Sequence, residues 1–165
     1  MDEASEARFR AWAGSQIAPL HRTAYLLCGD WHLAEDLAQE ALARAAVHWA
    51  RIEKAEHPNA YVRQILVNLA RQRRRRRMWH VGNGHEPDVA IDDGTEHRAS
   101  RAVLMAALHR LTARQRATIA LRYFEQLSEA ETAQILGCSV GTVKSQTHRA
   151  LAKLRDVLST EELPC

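Results

Sequence analysis

Apolar residues recur along this chain at intervals of three and four positions, the spacing that places them on one face of an α-helix. The two strand-like stretches are weak, so the sequence predicts an all-α protein. The first predicted helix runs from Ala4 to Leu27 and stops before Gly29, which suits a left-handed helix end. Pro19 is a potential interruption of this helix, because proline lacks the N–H group that a helix interior uses.

The next two predicted helices each carry an apolar stripe. Asp30 is placed to cap the second helix, and the stripe of that helix consists of Leu33, Leu37, Ala41, Ala45 and Trp49. The helical pattern fades over residues 51–56 and resumes at Pro58, which suits the first turn of a third helix that reaches Met78. The core-facing residues of the third helix are Val62, Ile65, Leu66 and Leu69. Another side of it carries Gln64, Asn68, Arg71 and Arg75.

Residues 79–97 differ in composition from the helical segments on either side. They include three glycines, a proline and five acidic residues, and they contain no Lys or Arg. This composition predicts a flexible acidic linker, since a loop of this length inside one compact domain is uncommon. We therefore expect two small helical domains, residues 1–78 and residues 98–160.

Helical patterns return in the second half, over residues 98–110 and 113–124. Two capping boxes, in which a Ser or Thr is followed three residues later by Gln or Glu, begin at Thr112 and Ser128. The Ser128 box opens a short helix that ends at Gly137. Ser139 then caps a last helix, which extends from Val140 to Leu158.

Three residues in this region have the spacing of a helix-turn-helix, namely Ala133, Gly137 and Val143. A small residue allows the two helices to approach, a glycine makes the sharp turn, and an aliphatic residue in the second helix fixes the crossing. A plain helical hairpin is the alternative interpretation.

The distribution of charge says more than the net charge of +3, which is the difference between 23 basic and 20 acidic residues. The predicted second helix of the helix-turn-helix, from Ser139 to Arg155, has four cations and no acid. One face of it carries Thr142, Ser145, Gln146 and Arg149. Such side chains can contact phosphates and base edges in a major groove, and the guanidinium of Arg149 can span guanine O6 and N7. A solvated basic face is the alternative.

A second basic surface lies at the end of the third predicted helix, where six arginines occupy residues 71–77. Cations crowded in this way repel one another, which favours a polyanionic partner, and nucleic acid is favoured over a membrane. The aromatic residues Tyr61 and Trp79 flank the third predicted helix and could stack on unpaired bases, with a place in the core as the alternative for each. A helix end stabilised by its own dipole is the alternative interpretation.

The second predicted helix and the segment after it have the opposite charge. Between Asp30 and Glu56 there are six acids against three cations, which would repel DNA. This surface is either a protein-docking face or a solvated one.

Several classes of protein are disfavoured by the sequence. No apolar run approaches the roughly 20 residues that span a bilayer, and the amino terminus has no apolar signal-peptide core, so we expect a cytoplasmic protein without a membrane segment. Cys28, Cys138 and Cys165 lack CxxC or zinc-finger spacing, which favours reduced thiols over a redox switch. No nucleophile–base pair, phosphate-binding glycine loop or metal cluster is recognisable, so we expect no enzyme, no cofactor and no small-molecule substrate.

Three segments of the chain together resemble a known family. They are AEDLAQEALARAAVHW (Ala34–Trp49), NAYVRQILVNLARQRRRRR (Asn59–Arg77) and LSEAETAQILGCSVGTVKSQTHRALAKLR (Leu127–Arg155). In this order and across a short acidic linker, they resemble the extracytoplasmic-function group of bacterial sigma-70 factors. The resemblance is closest to the actinobacterial SigE-like subgroup.

The resemblance implies roles for the first domain. It would dock on the coiled coil of the β′ subunit of RNA polymerase, with Asp36, Gln39 and Glu40 at the docking positions of the family. The third helix would recognise and help melt the minus-ten promoter element, with Asn68 near a flipped base and residues 51–57 forming part of the pocket. The candidate minus-ten residues are Tyr61, Gln64, Asn68, Arg71 and Arg75.

The resemblance also implies that the second domain binds the β flap and reads the minus-thirty-five element. The candidate residues are Thr142, Lys144, Ser145, Gln146, His148 and Arg149. Gln146 stands where many relatives have Arg, and His148 where an aromatic can occur, so the minus-thirty-five sequence of relatives does not transfer. The family also implies regulation by an anti-sigma factor.

The predicted function is therefore that of a sigma factor, which binds core RNA polymerase and directs initiation at specific promoters. A stand-alone helix-turn-helix regulator is the alternative, although the first half offers no signal-binding module and no zipper. An enzyme acting on nucleic acid, such as a nuclease, is the third hypothesis.

Overall fold

The computed structural model describes residues 1–80 and 95–161, with the side chains of all of these except residues 77–80, 95–99 and 161. Its helices are α1 (Glu3–Cys28), α2 (Trp31–Val47), α3 (Trp49–Ile52), α4 (Pro58–His80), α5 (Thr95–His109), α6 (Ala113–Ile119), α7 (Glu129–Leu136) and α8 (Val140–Glu161). There is no strand in these two ranges, which confirms the predicted all-α class.

The chain divides into two compact units, Met1–His85 and Glu86–Cys165. Most of the predicted acidic linker, residues 81–94, lies outside the described residues. Helix α4 continues to His80 and helix α5 begins at Thr95, so both helices extend into the segment predicted as linker. The glycines and the proline that indicate a linker begin only at Gly82, so composition does not locate the end of a helix to within a few residues.

In unit 1, helices α1, α2 and α4 pack against one another in pairs. Their contact surfaces are built from small and branched residues: Leu20 and Ala24 of α1, Leu37 of α2 and Leu66 of α4 are all fully buried. Burial of one such leucine contributes about 1.5–3 kcal/mol, so this three-helix contact stabilises the unit.

Hydrogen bonds from side chains and backbone fix the helix ends of unit 1 as predicted. Gly29 adopts φ 73°, and its N–H donates to the carbonyl of Tyr25 at 2.8 Å. Asp30 caps α2 by accepting a 2.9 Å hydrogen bond from the N–H of Leu33. Helix α1 runs through Pro19 without a break, although the sequence indicated Pro19 as a possible interruption of this helix. The buried neighbours Gln16 and Leu20 keep both sides of the proline packed on the same core.

The predicted apolar stripes face the core of unit 1 with small differences. Trp49 is buried but belongs to α3, because the chain leaves α2 at His48. In α4, Ile65 is only half-buried, whereas Val67, which was outside the predicted stripe, is 1% exposed. The stripe of α4 is therefore wider than the sequence indicated.

In unit 2, both predicted capping boxes form. The side chain of Thr112 caps α6 with Gln115, and that of Ser128 caps α7 with Glu131. The segment predicted as one helix over residues 113–124 is α-helical to Ile119 and then makes a single π-helical turn, Ala120–Phe124. Such turns are rare and have no simple sequence signature.

Helices α7 and α8 form the predicted helix-turn-helix. Gly137 ends α7 with φ 63°, a left-handed conformation in which other residues are strained. Ala133 is 6% exposed and Val143 is fully buried, so the small residue and the aliphatic residue lie in the helix contact. Ser139 accepts a 3.1 Å hydrogen bond from the N–H of Thr142 and so caps α8.

A buried arginine joins α5 to α6. Arg116 is 5% exposed, and its guanidinium donates to the carbonyls of Leu108 at 2.8 Å and of His109 and Leu111 at 3.3 Å each. These carbonyls lie at the carboxyl end of α5, where helix carbonyls lack intrahelical partners. Arg116 therefore acts as a cap for α5, a role that sequence reasoning missed.

Candidate nucleic-acid and protein interfaces

The candidate docking residues lie on one face of α2 but differ in exposure. Asp36 and Gln39 are exposed, and Gln39 donates a 3.4 Å hydrogen bond to Glu35 one turn earlier. Glu40 is half-buried and contacts Arg44 at 2.7 Å and Arg73 of α4 at 3.6 Å. The acidic face of α2 therefore continues directly to the arginine-rich end of α4.

The arginine-rich end of α4 is largely solvent-facing. Arg71 is half-buried, while Arg73, Arg74, Arg75 and Arg76 are exposed. Several guanidinium groups on adjacent turns form a surface that suits a chain of phosphates, whose neutralisation makes binding depend on salt. The side chains of Arg77 and Trp79 lie outside the described residues, so the predicted stacking role of Trp79 is not addressed.

The remaining candidate minus-ten residues lie on the earlier turns of α4. Asn68 is exposed, whereas Tyr61 and Gln64 are half-buried. The guanidinium carbon of Arg51 lies 5.7 Å from the centroid of the Tyr61 ring, within the range of a cation–π contact. This contact occupies part of the ring that was predicted to stack on bases.

The first turns of α1 contact Glu53, which follows α3, and Asn59 in the first turn of α4, and sequence reasoning missed both contacts. The guanidinium of Arg8 donates to both carboxylate oxygens of Glu53, and the indole N–H of Trp12 donates to the side-chain carbonyl of Asn59 at 2.9 Å. The hydrogen bond to Glu53, together with the charge of that carboxylate, raises the pKa of the Arg8 guanidinium. The partners are 45 and 47 residues apart in sequence, so no local pattern could indicate them.

In α8, most candidate minus-thirty-five residues face solvent. Lys144, Ser145, His148 and Arg149 are exposed, and Gln146 is half-buried. The helix is oriented by its buried face, on which Val143 and Ala150 are fully inaccessible.

Two of the α8 candidates are also engaged within the helix-turn-helix. The hydroxyl of Thr142 lies 2.9 Å from that of Ser139 in the cap of α8, so Thr142 has a structural partner before any ligand arrives. The ammonium of Lys144 lies 3.8 Å from the carboxylate of Glu129, which links the two helices.

Arg149 also borders a groove between α5 and α8. The groove has a volume of about 730 Å³. It is lined by Ala106, Arg110, Arg149, Ala152, Lys153, Asp156, Val157 and Thr160. Arg110, which directly follows α5, thus joins the basic surface that the sequence assigned to α8 alone.

The described part of the chain holds no group of three or more His, Cys, Asp or Glu residues that could bind a metal ion. Cys28 and Cys138 are not joined in a disulfide, the thiol of Cys28 donates a 3.3 Å hydrogen bond to the carbonyl of Asp30, and Cys165 lies outside the described residues. Within residues 1–80 and 95–161, the helices lack the length and apolar content needed to cross a bilayer.

Comparison with protein families matches both units. Residues 15–80 match the family model of Sigma-70 region 2, and residues 101–154 match that of Sigma-70, region 4. Each match lies inside one of the two compact units.

Curated relatives match most of the chain. The RNA polymerase sigma-E factor of Streptomyces antibioticus is 44% identical over 131 residues, which cover 79% of this chain and 73% of that protein. The sigma-E factor of Streptomyces coelicolor is 40% identical over 94% of this chain and 88% of its own length. The ECF RNA polymerase sigma factor SigL of Mycobacterium tuberculosis is 34% identical over 97% of this chain and 93% of its own length.

Two solved structures share the fold. The sigma factor RpoE, in complex with the anti-sigma factor NepR from Bartonella quintana, matches with a TM-score of 0.79 and 28% identity, over 92% of this chain and 97% of that chain. CnrH, in complex with the cytosolic domain of CnrY, matches with a TM-score of 0.71 and 21% identity, over 95% of this chain and 91% of that one. At that identity, the second match shows the fold alone.

Proposed function

Because this chain belongs to the extracytoplasmic-function group of sigma-70 factors, we propose that its two helical units recognise different elements of one promoter. As a sigma factor, the chain binds core RNA polymerase and directs initiation at specific promoters. The observation that supports the division is the order of the two matches, with region 2 inside unit 1 and region 4 inside unit 2. We assign residues 1–78 to core docking and minus-ten recognition and residues 98–160 to minus-thirty-five recognition, with residues 79–97 as the linker.

Unit 1 is proposed to bind the coiled coil of the β′ subunit through the acidic face of α2. Asp36 and Gln39 are exposed there, and Glu40 contributes while it holds Arg73 of α4. Because Glu40 lies between the acidic face and the arginine-rich end of α4, core docking and DNA contact occur on adjacent surfaces of one rigid unit.

Helix α4 is proposed to contact the minus-ten element. The exposed arginines, including Arg75, would contact phosphates, and the exposed amide of Asn68 would contact a base taken out of the stack. Gln64 and Arg71 are half-buried and would form the border of this minus-ten contact surface. Residues 51–57, which precede α4, would form part of the pocket for that base, next to Tyr61.

Unit 2 is proposed to bind the β flap and to read the minus-thirty-five element through α8. The exposed side chains of Lys144, Ser145, His148 and Arg149 are the contacts, with Gln146 at the edge of this surface. Thr142 is placed there too, although its hydroxyl contacts Ser139. The bidentate guanidinium of Arg149 is the best group in this set for reading a guanine.

We also propose an anti-sigma factor as a regulatory partner. The RpoE structure from Bartonella quintana holds its sigma factor in such a complex, and the match covers 92% of this chain. Sigma factors are initiation factors and not enzymes, so we propose that this chain has no catalytic activity of its own. Its place of action is then the cytoplasm, where core polymerase and promoter DNA are found.

Reconstituted transcription tests this function. The purified chain is mixed with core RNA polymerase of an actinobacterium and genomic DNA fragments, and the 5′ ends of the transcripts are sequenced. We expect new start sites that share two upstream motifs and are absent with core polymerase alone. No start site above the core-only background would contradict the proposal, and tight specific DNA binding by the isolated chain, unaffected by core, would favour a stand-alone regulator.

A further inference from the structure

We propose that Arg8, Phe9 and Trp12, here called the α1 anchor, position the loop of residues 53–57 for promoter opening. The inference rests on the proposed function, in which this loop forms part of the pocket for a flipped base. The new element is that the α1 anchor consists of positioning residues, which contact the start of the loop, α3 before it and the first turn of α4 after it.

The α1 anchor contacts both ends of the loop. Arg8 donates to both carboxylate oxygens of Glu53, the first residue of the loop. Trp12, one helical turn later, donates to Asn59 at 2.9 Å, in the first turn of α4. A single rigid helix therefore contacts the loop at its start and just beyond its end.

Aromatic contacts fix the helix that precedes the loop. The ring centroid of Trp49 in α3 lies 5.3 Å from that of Phe9 and 5.0 Å from that of Trp12, and Trp49 is 4% exposed. These distances are typical of favourable aromatic pairs. Helix α3 is thus attached to α1, and the loop begins directly after it.

The interior of the loop has little packing of its own. Lys54, Glu56 and His57 are exposed, so contacts with the hydrophobic core do not determine their positions. A binding loop is effective when a rigid scaffold holds it near the productive conformation before the ligand arrives. The contacts of the α1 anchor supply such a constraint.

The α1 anchor precedes the part of the chain that matches the family model. That match begins at residue 15, whereas Arg8, Phe9 and Trp12 are all earlier. The family model therefore includes their partners Trp49, Glu53 and Asn59 but not the three residues of the α1 anchor. Their role follows from the geometry of this chain.

Charge reversal across the Arg8–Glu53 pair tests the proposal. The variants are Arg8→Glu, Glu53→Arg and the double reversal, each assembled with saturating core polymerase on a promoter identified by transcript sequencing. Opening is followed by permanganate reactivity of unpaired thymines. Each single reversal is expected to slow opening roughly threefold to tenfold, because a loop that is competent in only a fraction of molecules lowers the apparent rate by that fraction.

The double reversal is expected to restore opening to within about twofold of the unsubstituted protein, as a pairwise coupling requires. Arg10→Glu is the matched control, because it makes the same charge change on the same helix but Arg10 pairs with Glu6 of α1 itself. Arg10→Glu should leave opening unchanged. An equal defect in Arg8→Glu and Arg10→Glu, or no recovery in the double reversal, would mean direct repulsion of DNA and would overturn the proposal.

A second variant tests the other end of the loop. Trp12→Phe keeps an aromatic ring against Trp49 but removes the N–H that donates to Asn59. We expect slower opening with unchanged affinity for core polymerase and an unchanged unfolding transition. Unchanged opening in Trp12→Phe together with unchanged opening in Arg8→Glu would overturn the proposal. If the unsubstituted chain itself failed to initiate transcription, the proposed function would be contradicted. Failure of the proposed function is therefore distinguishable from failure of the positioning role of the α1 anchor.

Discussion

Replacement of the buried Arg116 should destabilise unit 2 and leave unit 1 unaffected. The guanidinium donates to three carbonyls at the end of α5, the closest at 2.8 Å, and the residue is 5% exposed. Arg116→Ala removes all three hydrogen bonds and leaves buried carbonyl groups without this donor. A hydrogen bond to a charged group contributes about 1.5–3 kcal/mol, and a buried acceptor left without a partner costs about 1–3 kcal/mol, so the loss is at least about 2 kcal/mol.

This cost is large compared with the stability that a unit of this size can have. Unit 2 comprises residues 86–165, and a domain of about 80 residues has a free energy of unfolding of roughly 4–12 kcal/mol. Arg116→Ala is therefore expected to remove a substantial part of the stability of unit 2. Arg116→Lys should also destabilise unit 2, because an ammonium group cannot reproduce the planar fork of donors.

The distribution of tryptophan makes the two units separately observable. All four tryptophans of the chain, Trp12, Trp31, Trp49 and Trp79, lie in unit 1. Tryptophan fluorescence during urea unfolding therefore reports on unit 1, whereas helical circular dichroism reports on both units. Arg116→Ala should shift part of the dichroism transition to lower urea and leave the fluorescence transition in place.

Arg114→Ala is the matched control for this experiment. Arg114 lies two residues earlier in α6 and its side chain is exposed, so its removal should change stability by less than about 0.5 kcal/mol. If Arg116→Ala unfolded like Arg114→Ala, the interpretation of Arg116 as a structural cap would be refuted.

Three further predictions concern the proposed contacts. Asp36→Lys on the acidic face of α2 should weaken association with core polymerase at least several-fold, measured by co-purification, and unchanged co-purification would remove Asp36 from the docking surface. Asn68→Ala should leave the affinity for core polymerase intact but slow promoter opening, measured by permanganate reactivity; unchanged opening would exclude a base contact by Asn68. Arg149→Ala should cost about 1–3 kcal/mol at one base position of the minus-thirty-five element. An equal loss on every sequence, measured by holoenzyme binding to single-base variants, would instead indicate a phosphate contact.

Local features of the fold could be predicted because they depend on residues a few positions apart. The cap at Asp30, the boxes at Thr112 and Ser128 and the left-handed glycines each depend on hydrogen bonds within about one turn. The helix-turn-helix follows from three residues within one short segment. Propensity and periodicity are sufficient for such elements.

Contacts between distant segments could not be predicted in the same way. The bond from Arg8 to Glu53 and that from Trp12 to Asn59 exist only because helix packing brings the start of α1 to the start of α4. The pair between Glu40 and Arg73 arises from the packing of α2 on α4. The sequence alone shows Arg73 as part of a basic run and Glu40 as part of an acidic face, and it does not indicate that the two side chains pair.

Exposure of the candidate site residues was predicted unevenly. Helical spacing placed Asn68 and Arg149 on sides of their helices away from the core-facing stripes, and the structure has both exposed. Gln146, by contrast, is half-buried. Thr142 takes part in the cap of α8, because polar residues at the start of a helix satisfy backbone N–H groups that lack intrahelical partners. Spacing alone does not distinguish these two uses of a polar side chain.

Hydroxyl-radical footprinting of one promoter, with and without core polymerase, tests the central claim most directly. The account predicts two separate protected patches, at the minus-thirty-five and minus-ten elements, that appear only when the chain and core polymerase are both present. Arg149→Ala should weaken the upstream patch and Asn68→Ala should affect only the downstream one. Protection of the same two patches by the isolated chain, or of a single patch by the complete complex, would contradict the account.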